Sequence, residues 1–358
     1  MVLFRYLLVT ALRHIVLTGF ALLTVFAVIE FFDSARVVLG PLGTAGDALL
    51  YYTLRLPHQL LLVLPLAVLL GTVTAYGGLV RSREILAARA GGVSTARLVV
   101  PGLVAALLFG GTAAALAEWG VPAADREADR VRVEVFKGFY AEWTRFNAAG
   151  WFRVPGGLAR VTVTSKASDR LYGIHFFEID ESYRLKRRIE AEQLSFVNDC
   201  WIGKKLTEIA YGDDGSITRS QHERREVKLG ALPRDFLIPY GRPHQLSLAG
   251  LDEAIALRES QGRGIRALAI ERHARFSAPL QIVISALLGL AIALAIRPGG
   301  GLVGPLGKAV GLAFLVGAAF VFFNGLGRAE VIAAAAAVWL PLALFAGLGL
   351  VMLRRAVR

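Results

Sequence analysis

Residue types that could carry chemistry are few in this chain, and their spacing does not assemble a catalytic site. Six histidines are scattered along 358 residues. His222 and His244 fall in a polar central stretch, and neither has a partner at metal-ligand spacing. The nearest approach to a nucleotide-binding loop is GLVGPLGK at 301–308. Its Gly301 and Gly307 are one position too far apart, and Ala309 stands where a magnesium-binding hydroxyl is required. The single cysteine, Cys200, excludes an internal disulfide. The expectation is a chain that is not an enzyme, binds no cofactor of its own and holds no metal.

One charged segment stands out, RSREILAARAGGVSTAR at 81–97. It carries a lone acid, Glu84, among Arg81, Arg83, Arg89 and Arg97, and apolar sequence flanks it on both sides. Ser82 is placed to cap a short helix over about 82–92, and Gly91–Gly92 to end it. On that helix Ile85, Leu86, Arg89 and Ala90 share one face, and Ser94 is placed to cap the helix that follows. Half apolar and half charged, the segment suits docking to a soluble partner. The same residues also describe an ordinary positive loop lying on anionic lipid, and local sequence leaves both open.

Two more arginines border apolar runs. Arg36 lies just past the first and Arg55 just before the second. A guanidinium fork at that level can take the phosphate oxygens of a lipid head group bidentately. Snorkelling to the membrane surface, or pairing of Arg36 with Asp33, explains the same residues without a ligand.

The elements that must hold these groups are set by the apolar runs. The chain is 55% hydrophobic and 19% charged, less charge than the roughly 25% of a soluble domain. Six runs, 14–29, 56–80, 98–117, 276–296, 309–326 and 331–353, are read as membrane spans. None contains Asp, Glu, Lys or Arg; Glu30, Glu118 and Lys308 sit at span ends. The first run is too long for a secretory signal and lacks a small-x-small cleavage site, so it is read as a retained helix. An ion-coupled transporter keeps titratable groups inside its spans. Transport by this chain would therefore draw its energy from elsewhere, and a separate ATPase beneath a docking helix fits.

The net charge of +12 would point to nucleic acid in a soluble protein. Here its distribution argues otherwise. Arg5, Arg13, the 81–97 segment, Arg297, Lys308, Arg354, Arg355 and Arg358 fall on one side of an alternating six-span chain. Short cytoplasmic loops carry such an excess. Both termini are expected in the cytoplasm, in contact with membrane lipid and no nucleic acid, and the large insert outside the inner membrane, in the periplasm.

That insert shows short alternating runs at 157–165, 171–180 and 191–199, and two more around a turn at Asp213–Asp214–Gly215. Strands with turn signals between them indicate an all-β sandwich or jelly roll. Three domains follow: 1–120 with three spans and the 82–92 helix, 121–246 as the β-insert, and 247–358 with three more spans. The last begins with a connecting helix capped by Ser247 and broken at Gly262 and Gly264. The fold class is an α-helical membrane protein of six transmembrane helices with an inserted, jelly-roll-like all-β domain between helices 3 and 4.

LPHQLLLVLPLAVLLGTVTAYGGLVRSREILAARAGGVS at 56–94 strongly resembles the second span and following loop of the lipopolysaccharide export permeases, the LptF/LptG (YjgP/YjgQ) family. The shared pattern here comprises Pro57, Pro65, Leu69, Leu70, Gly71, Glu84, Ala90, Gly92 and Ser94. RFSAPLQIV at 275–283 resembles the start of that family's fourth span. EFFDSARVVLG at 30–40 and AGWFRVPGGLARV at 149–161 look more like LptG than its paralogue. The resemblance implies an ABC-type exporter subunit paired with the paralogous permease LptF, over a dimer of the ATPase LptB. Lipopolysaccharide would be extracted from the outer leaflet of the inner membrane and passed to β-jellyroll partners that include LptC. ATP would be hydrolysed by the partner chain. Glu84, Ile85, Leu86, Arg89 and Gly92 would couple to the ATPase, and Arg36 and Arg55 are the head-group candidates. In the family, basic residues often lie near the outer end of the first span, and Glu30 stands where one can occur. A scaffold that only anchors a β-domain, a membrane enzyme that modifies a lipid and an exporter of another lipid are the competing readings.

Overall fold

A computed structural model describes residues 2–38, 43–136, 150–154, 156–164, 170–180, 184–212, 216–227, 229, 232–233, 243–260 and 264–357. Side chains at 36, 37, 133, 134, 153, 163, 164 and 260 lie outside the description. The chain divides into two compact units. One holds 1–129, 241–253 and 265–358; the other holds 130–240 and 254–264.

The first unit is helical. Its long helices are α1 (Val2–Val38), α2 (Ala45–Arg81) and α4 (Thr95–Ala115), with the short α3 (Glu84–Ala90) between α2 and α4. A π-helical turn, Leu116–Gly120, carries α4 into α5 (Val121–Val131). After the insert come α6 (Leu248–Ser260), of which only 248–253 belong to this unit, then α7 (Arg266–Leu294), α8 (Val303–Arg328) and α9 (Ala334–Val357). Among the described residues, six helices are long and apolar enough to cross a membrane. Five of them begin before the expected apolar run, because helical hydrogen bonding continues into interfacial residues that hydropathy does not count; α9 begins at Ala334, three residues inside its run. The third extends furthest past its expected end. The polar stretch read as starting at 121 opens with helix, and α5 completes a continuous 37-residue element, Thr95–Val131.

α2 starts at a reciprocal capping box. Thr44 Oγ1 accepts from Asp47 N (3.2 Å) and Asp47 Oδ2 accepts from Thr44 N (3.0 Å). It and α7 form the centre of the unit: 61% and 56% of their most apolar windows are buried, against 11% for α1 and 6% for α8. Small residues make this possible. A Cβ at Gly71 would lie 2.5 Å from Ile15 Cα on α1, and one at Gly289 on α7 would lie 2.7 Å from Leu69 O on α2. The two glycines let α2 lie close against both neighbours. Leu7, Ile15, Val68, Tyr76, Leu98 and Leu290 fill the space between these helices and α4, and Tyr76 Oη donates to Leu98 O (3.0 Å).

The second unit contains an antiparallel sheet of six strands, β1 (Gly150–Val154), β2 (Gly157–Thr164), β3 (Arg170–Ile179), β4 (Leu185–Val197), β5 (Cys200–Tyr211) and β6 (Ile217–Val227). Neighbours in sequence are neighbours in space, so the described strands run as a meander. A Greek-key crossing does not occur among them. Gly156, at φ +84°, turns β1 into β2. Asn198 and Asp199 turn β4 into β5 with φ of 52° and 60°, the double left-handed geometry of a tight hairpin. The expected alternation appears over 158–162, where Ala159 and Val161 are buried while Leu158, Arg160 and Thr162 face out; the side chains at 163–165 lie outside the described residues. Phe152, Leu171, Phe176, Ile189, Leu194 and Trp201 extend this core across the strands. On the sheet Glu208 accepts from Arg187 (2.9 Å) and Arg225 (2.7 Å). The turn at Asp213–Gly215 and Gly262 lie outside the described residues.

Candidate functional site

Two places in the helical unit gather polar residues, and α2 runs through both. Arg55 and Arg81 are 26 residues apart on it, about 39 Å of helix.

At the Arg81 end the chain reverses into α3. The turn uses Arg83 in the left-handed region, φ 63°, an unusual place for a side chain with a Cβ. The residue capping α3 is Arg83, with no side-chain cap bond. Ser82 does not cap the helix as its spacing predicts. Its hydroxyl instead donates to Glu84 Oε1 (2.7 Å), and Tyr6 Oη from α1 donates to Glu84 Oε2 (2.8 Å). Both oxygens of this exposed carboxylate are thus held by neutral hydroxyls, which fixes its direction and leaves its charge uncancelled. Ile85 is buried in the core shared with α1, α2 and α4, and Ala88 packs against it. Leu86 (51% exposed) and Arg89 face outward. The single shared face read for Ile85, Leu86, Arg89 and Ala90 therefore splits. Ile85 is an anchor, and Glu84, Leu86, Arg89 and Ala90 are the presented surface. The end of α3 is as expected: Gly91 N donates to Ala87 O and Gly92, at φ +83°, donates to Arg89 O. Ser94 occupies the cap position of α4 in an extended conformation, without a side-chain bond.

The second place lies toward the other end of α2. Arg55 Nε meets Glu30 Oε1 (3.2 Å), and its Nη1 meets Asp125 Oδ1 (3.3 Å). His58, one turn along, brings Nδ1 to 3.1 Å from Asp125 Oδ2. His244 brings Nε2 to 3.6 Å from the same oxygen. The imidazole rings are 5.1 Å apart. His244 therefore belongs to the helical unit and not to the β-insert, where its sequence position had placed it. The residue sits in a short turn, Pro243–Gln245, after the chain has left the insert. Asp129, one turn beyond Asp125 on α5, accepts from Gln245 Nε2.

Arg275 and Glu118 secure that turn. Arg275, with a side chain 8% exposed, donates to Ala117 O, to His244 O (2.9 Å) and to Leu246 O (3.0 Å). The π-helical turn is one residue longer per hydrogen bond than an α-turn, and Arg275 meets the Ala117 carbonyl within it. Both Glu118 oxygens accept from Leu248 N (3.1 Å each), placing a carboxylate at the positive end of α6. Ser247 Oγ accepts from Gly250 N (3.2 Å), the cap expected from sequence.

Arg55 is thus shared between two carboxylates, which lowers the charge it can offer a phosphate. Glu30 is its partner. Arg36 lies in α1, and its side chain is outside the description. Between α1 and α2 runs an apolar groove of about 390 Å³ lined by Thr24, Val28, Phe31, Leu49, Tyr52 and Gln59. Gln59 Oε1 is buried there without a hydrogen-bond partner among the described residues.

Sequence reading missed His58, Asp125, His244, Glu118 and Arg275 as a connected group. Their separations exceed any local motif, and the helix carrying Asp125 was read as part of the insert. The i, i+4 spacing of Asp125 and Asp129 was the one signal within reach.

Comparison with known proteins extends over the same elements. The family described as "Lipopolysaccharide export system permease LptF/LptG" matches residues 5–355. The lipopolysaccharide export system permease protein LptG of Escherichia coli (strain K12) is 23% identical over 291 residues, covering 81% of this chain and 80% of that protein. The LptG protein of Haemophilus influenzae (strain ATCC 51907 / DSM 11121 / KW20 / Rd) is 23% identical over 294 residues, covering 80% and 79%. A match that runs through all six long helices and the intervening sheet leaves little of the chain outside it, and the protein belongs to the LptF/LptG family of lipopolysaccharide export permeases.

Proposed function

We propose that this chain is the LptG-type half of a lipopolysaccharide exporter, paired with an LptF-type permease and driven by a cytoplasmic LptB-type ATPase dimer. The observation that carries the coupling reading is the construction of α3. Ile85 ties the helix to the helical core, while Glu84, Leu86 and Arg89 face outward. A motion imposed on that surface passes into α1, α2 and α4 through Ile85 and through the Tyr6–Glu84 bond. The ATPase, and not this chain, hydrolyses ATP. Both termini and α3 face the cytoplasm, and the β-sheet unit lies in the periplasm, where it hands lipid to LptC-type jellyroll partners. The apolar groove beside α1 and α2 accommodates acyl chain. Arg36 is the proposed head-group contact, with Arg55 secondary because of its two carboxylate partners.

Copurification tests the coupling. Glu84→Ala is expected to lower recovery of the ATPase with the permease and to lower lipopolysaccharide export, while the permease itself still accumulates in the membrane. Tyr6→Phe, which removes one of the two bonds that orient the carboxylate, should give a smaller loss. Normal ATPase recovery and normal export by Glu84→Ala would show that α3 is not the coupling surface. For the head group, Arg36→Glu should reduce lipopolysaccharide photocrosslinking in an assembled complex and Arg36→Lys should retain most of it. Wild-type crosslinking by Arg36→Glu would remove the residue from the lipid path.

A further inference from the structure

His58, Asp125 and His244 reach one point from three separate elements: α2, α5 and the Pro243–Gln245 turn. Their ligand atoms all lie within 4.8 Å of one another. Asp125 Oδ2 is 3.1 Å from His58 Nδ1 and 3.6 Å from His244 Nε2. Two ligands bound to zinc at about 2.0–2.1 Å and at a tetrahedral angle are roughly 3.3 Å apart, so these separations match the edges of such a site. The carboxylate is also prepared for a cation. Asp125 is 1% exposed, and its Oδ2 is buried without a hydrogen bond of good geometry among the described residues. A buried carboxylate oxygen faced only by two imidazole nitrogens is costly unless a positive charge joins them. Its other oxygen is held by Arg55, which is itself balanced by Glu30. Outer contacts of this kind orient metal-binding carboxylates.

We propose that His58 Nδ1, Asp125 Oδ2 and His244 Nε2 form a binding site for one divalent transition-metal ion of the zinc class. Two imidazoles and one carboxylate suit zinc and its neighbours, whereas magnesium and calcium prefer oxygen ligands throughout. The imidazoles are 31% and 29% exposed, which leaves a fourth position for water or for an anionic oxygen from outside the chain. The ion would clip the chain returning from the insert to α2 and α5. Its binding free energy would then add to the stability of the helical unit. The proposal does not depend on the coupling or head-group assignments above.

Cobalt(II) and zinc(II) are the probes. Purified full-length chain, stripped with chelator in detergent, should take up one equivalent of either. Cobalt should give the visible absorption of a low-coordinate site with nitrogen ligands. His58→Gln and His244→Gln should each weaken zinc binding by roughly 100-fold or more, and Arg55→Gln by about 10- to 100-fold through the orienting contact. His175→Gln and His222→Gln, in the sheet unit, should bind as the wild type does. Zinc should raise the unfolding temperature of the wild type and not that of the histidine variants. Magnesium should do neither. Absence of uptake by the wild type would overturn the proposal and leave the three residues as an ion-paired group. Equal uptake by wild type and both histidine variants would overturn it by assigning the metal elsewhere.

Discussion

Arg275 shows how much one side chain can organise. Its guanidinium donates to carbonyls from the π-helical turn and from the 244–246 backbone, and it contacts Glu271 on its own helix (3.3 Å). A lysine has the charge without the fork. Arg275→Lys cannot reproduce the planar fork, and Arg275→Met removes the Arg275 donor from all three carbonyls. Charge-assisted hydrogen bonds contribute about 1.5–3 kcal/mol each when removed singly, and they do not add within one network. Arg275→Met is expected to destabilise the helical unit by roughly 3 kcal/mol, with Arg275→Lys in between. Thermal unfolding in detergent measures this; an unchanged midpoint for Arg275→Met would show the contacts to be incidental. The sequence contained this residue within RFSAPLQIV, and the resemblance made it noticeable. What it touches was not legible, because its acceptors are backbone atoms that precede it by more than 25 residues and by more than 150.

Among the elements, α2 is the most constrained. It is flanked by α1 and α7 at two glycine contacts on different helices, Gly71 of its own and Gly289 of α7. Gly71→Ala forces a methyl against the α1 backbone, where no flexible side-chain end can yield. Overpacking of this kind costs about 1–3 kcal/mol. Gly78, on the same helix, has open space around it, and Gly78→Ala should be neutral or mildly stabilising because alanine is the better helix former. A thermal-unfolding comparison of the two variants isolates close approach from helix propensity; equal midpoints would refute the close-contact reading. α3 teaches the complementary lesson. Its existence and its glycine stop could be read from spacing. Its facing could not, because in seven residues the apolar pattern fits more than one rotation, and burial of Ile85 against three other helices decides it.

For the whole molecule, six helices and an inserted antiparallel sheet could be anticipated from hydropathy and from period-two alternation, which are strong local signals. The meander order was less accessible, since alternation says which face a residue takes and nothing about which strand lies beside it. The helical nature of 121–131 was hidden by its charge. Orientation in the membrane rests on the arginine asymmetry and is open to direct measurement. In a Cys200→Ser background, a cysteine replacing Thr218 should react with a membrane-impermeant maleimide once the outer membrane is permeabilised. One replacing Arg354 should react only after the inner membrane is breached. The opposite pattern would invert the topology and move α3 away from any cytoplasmic ATPase.

The π-helical turn at Leu116–Gly120 sets the rotational phase of everything after it. Each residue of helix advances the side-chain direction by about 100°, and a π-turn accommodates one residue beyond the α-helical count. Asp125 and Asp129 meet His244 and Gln245 because of that single added step. Length in this segment is therefore more critical than identity. Deleting Ala117 would let the helix close as an uninterrupted α-helix and rotate both aspartates away from the turn they hold, whereas exchanging Ala117 for serine would leave them in place. Over this stretch, homologous chains that keep the same grip should differ by substitution and not by one-residue gaps.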